Sequence, residues 1–215
     1  MAGLREALLG GGVQIIPNTT VTNLLTRGNQ VVGVHTSAGE MEAGEVILCG
    51  GTWSGELLKK QGFRLPMQGA KGYSFTLDNP PVLPTFPFIL ADHKVAVTPM
   101  GNQLRFAGTL ELAGLDTSMN QQRLDRILEV VQKSIPAYRD YDFSGIQPWA
   151  GFRPCSPDGL PYIGRWPGLA GLTIATGHAM LGMTLGAGTG QLVAELLTGS
   201  EPRLSLAPFR PDRFR

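Results

Sequence analysis

Trp149-Ala150-Gly151-Phe152-Arg153-Pro154-Cys155-Ser156-Pro157-Asp158-Gly159-Leu160-Pro161-Tyr162-Ile163-Gly164 is the most informative run in the chain. Arg153 stands between an aromatic residue and a proline, in a segment otherwise apolar or turn-forming. A planar guanidinium in such surroundings makes a good two-pronged carboxylate clamp. The more ordinary alternative is an arginine paired with a structural acid. Pro157-Asp158-Gly159 taken alone is a turn.

Moving toward the C-terminus, Leu172-Thr173-Ile174-Ala175 reads as a short buried strand and Thr176 to Gly182 as a glycine-punctuated loop. Met183 to Leu197 reads as a helix ending at Gly199. Gly177-His178-Ala179-Met180-Leu181-Gly182 therefore presents its amides, and the positive end of a helix, to whatever sits there. His178 suggests a base, although a hydrogen-bonded loop histidine is the plainer reading. No Asp or Ser at triad spacing supports a hydrolase, and nothing supports Cys155 and His178 as a nucleophile pair. Between Trp166 and Ala194 there is no charged residue, and Gly182, Gly186 and Gly190 repeat at the spacing of a transmembrane helix dimer. Seven glycines, a histidine and several threonines interrupt that run. Strand, loop and helix are preferred over a membrane span.

Moving toward the N-terminus, Leu4, Ala7 and Leu8 suit the last turns of a helix closed by Gly10 to Gly12. The period then shifts to two. Val13 to Ile16, Val21 to Thr26, Val31 to Thr36 and Glu45 to Leu48 read as strands, with turns at 27–30 and 37–40, giving a β-meander and a returning strand. Cys49-Gly50-Gly51-Thr52-Trp53-Ser54 follows at once and opens a short helix, Gly55 to Gln61. A Gly-Gly pair there lets a ligand approach the backbone. An ordinary strand-to-helix turn fits the spacing equally well.

Residues 65–150 have another texture. Tyr73 to Leu77, Phe88 to Ala91, Lys94 to Pro99 and Leu104 to Thr109 read as an antiparallel sheet with a hairpin at Met100-Gly101-Asn102-Gln103. Leu124, Ile127, Leu128, Val131 and Ile135 line one face of a helix running from near Thr117 to Pro136. The division expected is one unit from 1–64 and 149–215, and an inserted α+β unit from 65–148.

Composition limits the functions available. The 215 residues, 42% hydrophobic and 16% charged, suit one large domain or two small ones. A net charge of +1 gives no field for nucleic acid or anionic lipid. Cys49 and Cys155 provide no disulfide framework, and the N-terminus has no signal-peptide pattern, so a reduced cytoplasmic setting is expected. No metal-binding cysteine pair and no Walker A sequence occur, and Gly186-Ala187-Gly188-Thr189-Gly190 has the wrong spacing for G-x-G-x-x-G. The 29 glycines and 16 prolines follow no fibrous repeat and mark tight turns and close backbone approaches.

Several of these segments, in order, resemble the C-terminal half of FAD-dependent amino acid oxidoreductases of the D-amino acid oxidase and glycine oxidase superfamily, above all the bacterial D-amino acid dehydrogenases. The resemblance is carried by Lys71-Gly72-Tyr73-Ser74, by Trp149 through Arg153-Pro154 to Ile163-Gly164, and by Gly177-His178 with Leu181-Gly182, Thr184, Gly188 and Gly190. The Val21 strand and Gly50-Gly51-Thr52-Trp53-Ser54 extend it over nearly the whole chain.

It implies an α+β (α/β) protein: part of an FAD-binding domain plus an antiparallel-sheet substrate domain. Val21 would contact the adenine end, and Gly50, Gly51 and Trp53 would line the dinucleotide. Gly177, His178, Met180, Leu181, Gly182, Met183 and Thr184 would run along the isoalloxazine ring. The following helix would aim its N-terminus at the negative charge near N1 and C2 of reduced flavin.

Arg153 would hold the substrate carboxylate. Tyr73 would be a second contact or a lid, with a core tyrosine as the competing reading. An amino acid so held, with a neutral amine, would pass its α-hydrogen as hydride to flavin N5 and leave as the imino acid. No protein base is required, so no residue is assigned as catalytic.

Covalent relatives attach flavin near the position of Gly151. Cys155 lies four residues away, so non-covalent FAD is expected. Oxygen or a membrane quinone as acceptor stays open, as does inner-face membrane association of a full-length enzyme. A glycine or sarcosine-type amine oxidase, or a non-catalytic binding module, are the alternatives. Such enzymes begin with a Rossmann βαβ unit of roughly 30 residues. This chain has none, which implies a C-terminal portion with weak or absent FAD binding by the 215 residues alone.

Overall fold

Tyr73, Phe75 and Leu77 alternate with Gly72, Ser74 and Thr76, and a strand with that pattern must bury one face and leave the other small and polar. The computed structural model, which describes residues 2–214, shows this. Five strands form the largest sheet: β5 (Gln68–Asp78), β6 (Phe88–Leu90), β7 (Val95–Met100), β8 (Gln103–Leu112) and β9 (Trp149–Cys155), in the order β6-β7-β8-β5-β9. Tyr73, Phe75, Leu77, Val95, Val97, Leu104 and Phe106 point to one side. There they pack on Leu124, Ile127 and Val131 of α3 (Gln121–Ser134).

Helix α3 starts later than the expected Thr117. Asn120 is its cap, accepting from Arg123 N through the side chain, and the residues before it are held in a loop. Lys71, 1% exposed on β5, grips that loop by donating to the carbonyls of Asp116 (2.9 Å) and Ser118 (2.8 Å). The Ser118 hydroxyl and amide, and then Lys71, hold the Asp116 carboxyl down to about 2.

The second unit contains two smaller sheets. Strands β1 (Val21–Arg27), β2 (Gln30–Thr36) and β3 (Gly39–Glu42) form the meander. Strand β3 was not expected, because Gly39-Glu40-Met41-Glu42 is an exposed edge with no apolar alternation. The returning strand β4 (Val46–Leu48) leaves the meander and pairs in parallel with β11 (Leu172–Thr176), which pairs with β10 (Tyr162–Arg165). Leu24, Val31, Leu48, Leu58, Tyr162, Leu172 and Ile174 form the core between these sheets and α2 (Ser54–Lys59).

Helix α4 (Gly182–Thr198) ends at Gly199, whose φ of 74° terminates it in the left-handed region. Among the described residues no helix is long and apolar enough to cross a membrane. The C-terminal segment is clamped back: the Arg213 guanidinium takes both Asp158 oxygens at 2.9 Å and stacks 4.1 Å above the Tyr162 ring. This pairing holds the Asp158 carboxyl well below the usual carboxylate range.

Two expectations are corrected. Val13 to Ile16 is not a strand: it follows α1 (Ala2–Gly10) as an exposed segment that pairs with no strand among the described residues. The sheet assigned to 65–148 also takes in β9, because Gln68 to Ser74 pairs antiparallel with Cys155 to Trp149.

The loop that leads into α3 should respond to acid. Asp116 is depressed in the folded state, so its stabilisation is complete above about pH 4 and is lost as pH falls toward 2. Thermal melts of Asp116→Asn should approach those of the parent at pH 2, with the gap opening as pH rises to 5.

Candidate functional site

The face of the five-stranded sheet turned away from α3 is built from Ala70, Gly72, Ser74 and Thr76 on β5. Gly151 and Arg153 on β9 share it with Arg105 and Ala107 on β8 and with Ala96 and Thr98 on β7. Gly72 and Gly151 are direct cross-strand partners. Two large side chains occupy the space they leave. A Cβ on Gly72 would lie 2.0 Å from Arg153 Nη1, and one on Gly151 would lie 2.2 Å from the Trp149 ring.

Arg153 is half-buried, and its guanidinium has no hydrogen bond or ion pair among the described residues. No structural acid meets it among the described residues. A half-buried guanidinium without a counter-charge suits an anion, and its planar fork matches a carboxylate.

Tyr73 is not beside it. It lies on the opposite face, 2% exposed, where its hydroxyl donates to Glu111 and accepts from Asn120 N. That contact, with Lys71 and Arg123 nearby, holds Glu111 below its usual range. Tyr73 is the core tyrosine, because strand alternation places it with Phe75 and Leu77. Sequence reasoning gave no role to Ser74, Trp149 or Arg105, whose common face appears only once the strands are paired.

The residues expected to line a dinucleotide fall into two neighbouring groups. Val21, Gly50 and Trp53 line one cavity of about 260 Å3 with Leu24, Val34 and the end of β4. His178 and Gly182 line a groove of about 520 Å3 with Thr189, Gly186 and Gly190 of α4. Ile47 and Cys49 border both, so the two cavities meet along the open edge of β4. Gly51 lies in the turn that follows, its carbonyl accepting from Thr176 Oγ1 (3.3 Å).

At the start of α4, Met180, Leu181, Met183 and Thr184 are exposed. The helix has no side-chain cap, and the N–H groups of Gly182, Met183 and Thr184 are unpaired among the described residues. Gly177 needs its φ of 84°, and a Cβ there would lie 3.0 Å from the Tyr162 ring. His178 shares a proton with Thr189 Oγ1 (2.9 Å), and burial lowers its pKa, which keeps the ring neutral at pH 7.

The substrate face and this loop are physically joined. Ala179 N donates to the Pro154 carbonyl (2.9 Å), one residue from Arg153, and Cys155 bridges to His178. Trp53 packs edge-on against Phe152 at 5.9 Å. A cleft of about 830 Å3 between α2, residues 62–69 and Gly114–Leu115 contains none of the expected site residues. No metal cluster occurs among the described residues.

An uncapped helix N-terminus, a glycine-shaped loop and an arginine with no ion pair among the described residues lie on adjoining elements. A family model described as "FAD dependent oxidoreductase" matches residues 1–196, and the chain belongs to this family. It is 39% identical over 95% of its length to a D-amino acid dehydrogenase of Vibrio vulnificus, of which it covers 48%. It is 35% identical over its whole length to a D-amino-acid oxidase of Bradyrhizobium diazoefficiens, of which it covers 51%. The structure of a glycine oxidase from Geobacillus kaustophilus superposes with a TM-score of 0.83 at 26% identity, covering all of this chain and 57% of that one. The chain spans about half the length of the curated relatives it matches.

The Gly72–Gly151 trough should be indispensable to the guanidinium. A Gly72→Ala variant should displace Arg153 and weaken the binding of benzoate, an unreactive carboxylate, at least tenfold by calorimetry. An unchanged affinity would mean that the trough does not set the Arg153 position.

Proposed function

We propose that the protein oxidises the α-carbon–nitrogen bond of a small amino acid, of D configuration, with non-covalently bound FAD, Arg153 holding the substrate carboxylate. The observation that carries this reading is the half-buried Arg153 guanidinium, left without an acid partner among the described residues on a face built of small residues.

The residues present fit FAD. Exposed apolar side chains at Met180, Leu181 and Met183 flank unpaired amide donors, and the cavities on either side of the β4 edge offer an elongated surface. Val21, Gly50, Gly51 and Trp53 would hold one end of it and residues 177–184 the other. When bound, FAD supplies the two-electron acceptor. Cys155 offers no attachment point of note, since burial pushes its thiol up and leaves little thiolate.

The remaining work falls to this chain. Arg153 fixes the carboxylate in two hydrogen bonds and so limits the rotations open to the α-carbon. The Trp149 ring, lying over Gly151, would form one wall of the position. The uncapped N-terminus of α4 stabilises negative charge that develops beside it, without a charged side chain. His178, neutral and engaged with Thr189, is a spacer rather than a base.

The FAD-loaded full-length protein should be mixed anaerobically with D-alanine, L-alanine, glycine and sarcosine while the flavin absorbance is recorded. Rapid bleaching by D-alanine is expected, and Arg153→Ala should slow it at least about a hundredfold, the equivalent of ~3 kcal/mol for a charge-assisted pair. Arg153→Lys should be nearly as impaired, because a point charge cannot replace the fork. Bleaching that neither variant slows would refute the clamp. Preference for glycine or sarcosine would reassign the substrate to the amine-oxidase type.

A further inference from the structure

Arg105 is a second arginine on the face that carries Arg153. It stands on β8 between Thr76 of β5 and Thr98 of β7, half-buried, and its Nε donates to Thr76 Oγ1 (3.1 Å). No carboxylate pairs with it among the described residues. Asp78, the nearest acid by register on the same face, is exposed and accepts from Gln103 (2.7 Å) instead.

Between the two arginines lies Ser74, 4% exposed, whose Oγ is buried without a hydrogen-bond partner. A buried hydroxyl in that state costs free energy unless a ligand or a bound water meets it. The face thus offers a cation on β9, an unmet hydroxyl on β5 and a second cation on β8.

We infer that Arg105 forms a second anion subsite, and that the preferred substrate is an α-amino dicarboxylate bridging Arg153 and Arg105. This rests on the proposed role of Arg153. The spacing supports it. The Arg153 guanidinium lies over Gly72 and that of Arg105 over Thr76. Four residues along a strand advance about 13 Å. A carboxylate carbon stands about 4 Å from the carbon of a guanidinium that binds it. About 5 Å then remains between the two carboxylate carbons, the length of an extended glutamate-like skeleton. Ser74 lies on β5 between Gly72 and Thr76. Two cations with no anion among the described residues also explain why a monocarboxylate would leave one of them unsatisfied.

The test compares kcat/KM for D-glutamate and D-alanine in the FAD-loaded full-length protein, with Arg105→Met and Arg105→Gln beside the parent. The parent should prefer D-glutamate, and both variants should lower the ratio of D-glutamate to D-alanine at least tenfold. Binding gives an independent reading: glutarate should bind the parent at least tenfold tighter than butyrate by calorimetry, with the difference lost in both variants. A ratio that moves less than twofold, together with equal binding of glutarate and butyrate, overturns the second subsite while leaving the Arg153 clamp standing. A parent whose flavin no amino acid bleaches overturns both.

Discussion

The Arg153 guanidinium, half-withdrawn from water with no counter-charge among the described residues, needs the room that the backbone leaves at Gly72, whose cross-strand partner Gly151 makes room for Trp149. A methyl at Gly72 would collide with Arg153 and one at Gly151 with Trp149. The rest of the large sheet is arranged around this trough. The opposite face is a conventional apolar core, and α3 covers it. Lys71 fixes the approach to α3 from below by gripping the 116–118 loop. The small residues above and the bulky ones below are two consequences of one alternating strand.

The trough gains its chemical meaning from its neighbour. The backbone bond from Ala179 to Pro154 and the ring contact of Trp53 with Phe152 tie the arginine strand to the glycine-rich loop and to the turn after β4. That turn and loop lie side by side because β4 pairs in parallel with β11, a contact between segments more than a hundred residues apart. Tyr162 anchors the junction: its hydroxyl donates to Pro66, its ring fills the space against Gly177, and burial lifts its pKa to about 12. The Arg213–Asp158 clamp then closes the C-terminal segment over the same residues. A small substrate on the sheet and a flat cofactor on the loop would be held by one connected framework.

Much of this was legible in the chain. Hydrophobic period placed β1, β2, β5, β7, β8 and α3, and the proline and glycine punctuation ended α3 and α4 close to where they end. The failures share a cause. Val13 to Ile16 has strand composition but pairs with no strand among the described residues, and Gly39–Glu42 has no strand pattern but finds β2 beside it. Strand formation depends on the partner edge as much as on the residues. Tyr73 could be read as a substrate contact because its face is not a property of its neighbours in sequence until the strand limits are known. The same ambiguity concealed Arg105.

The sequence by itself determined which segments would be buried and where the loops would fall, while its resemblance to a family drew attention to Arg153 and to the Gly50-Gly51 and Gly177–Thr184 segments. Burial and loops are local matters, governed by side-chain period and backbone freedom at glycine. Only the tertiary structure decided that Arg153 meets no acid among the described residues, that Gly72 makes its room, and that Arg105 and Ser74 share its face while Tyr73 does not. Register between strands is a non-local choice. A shift of one residue turns every side chain to the other side, and the pairing of β5 with both β8 and β9 made that choice.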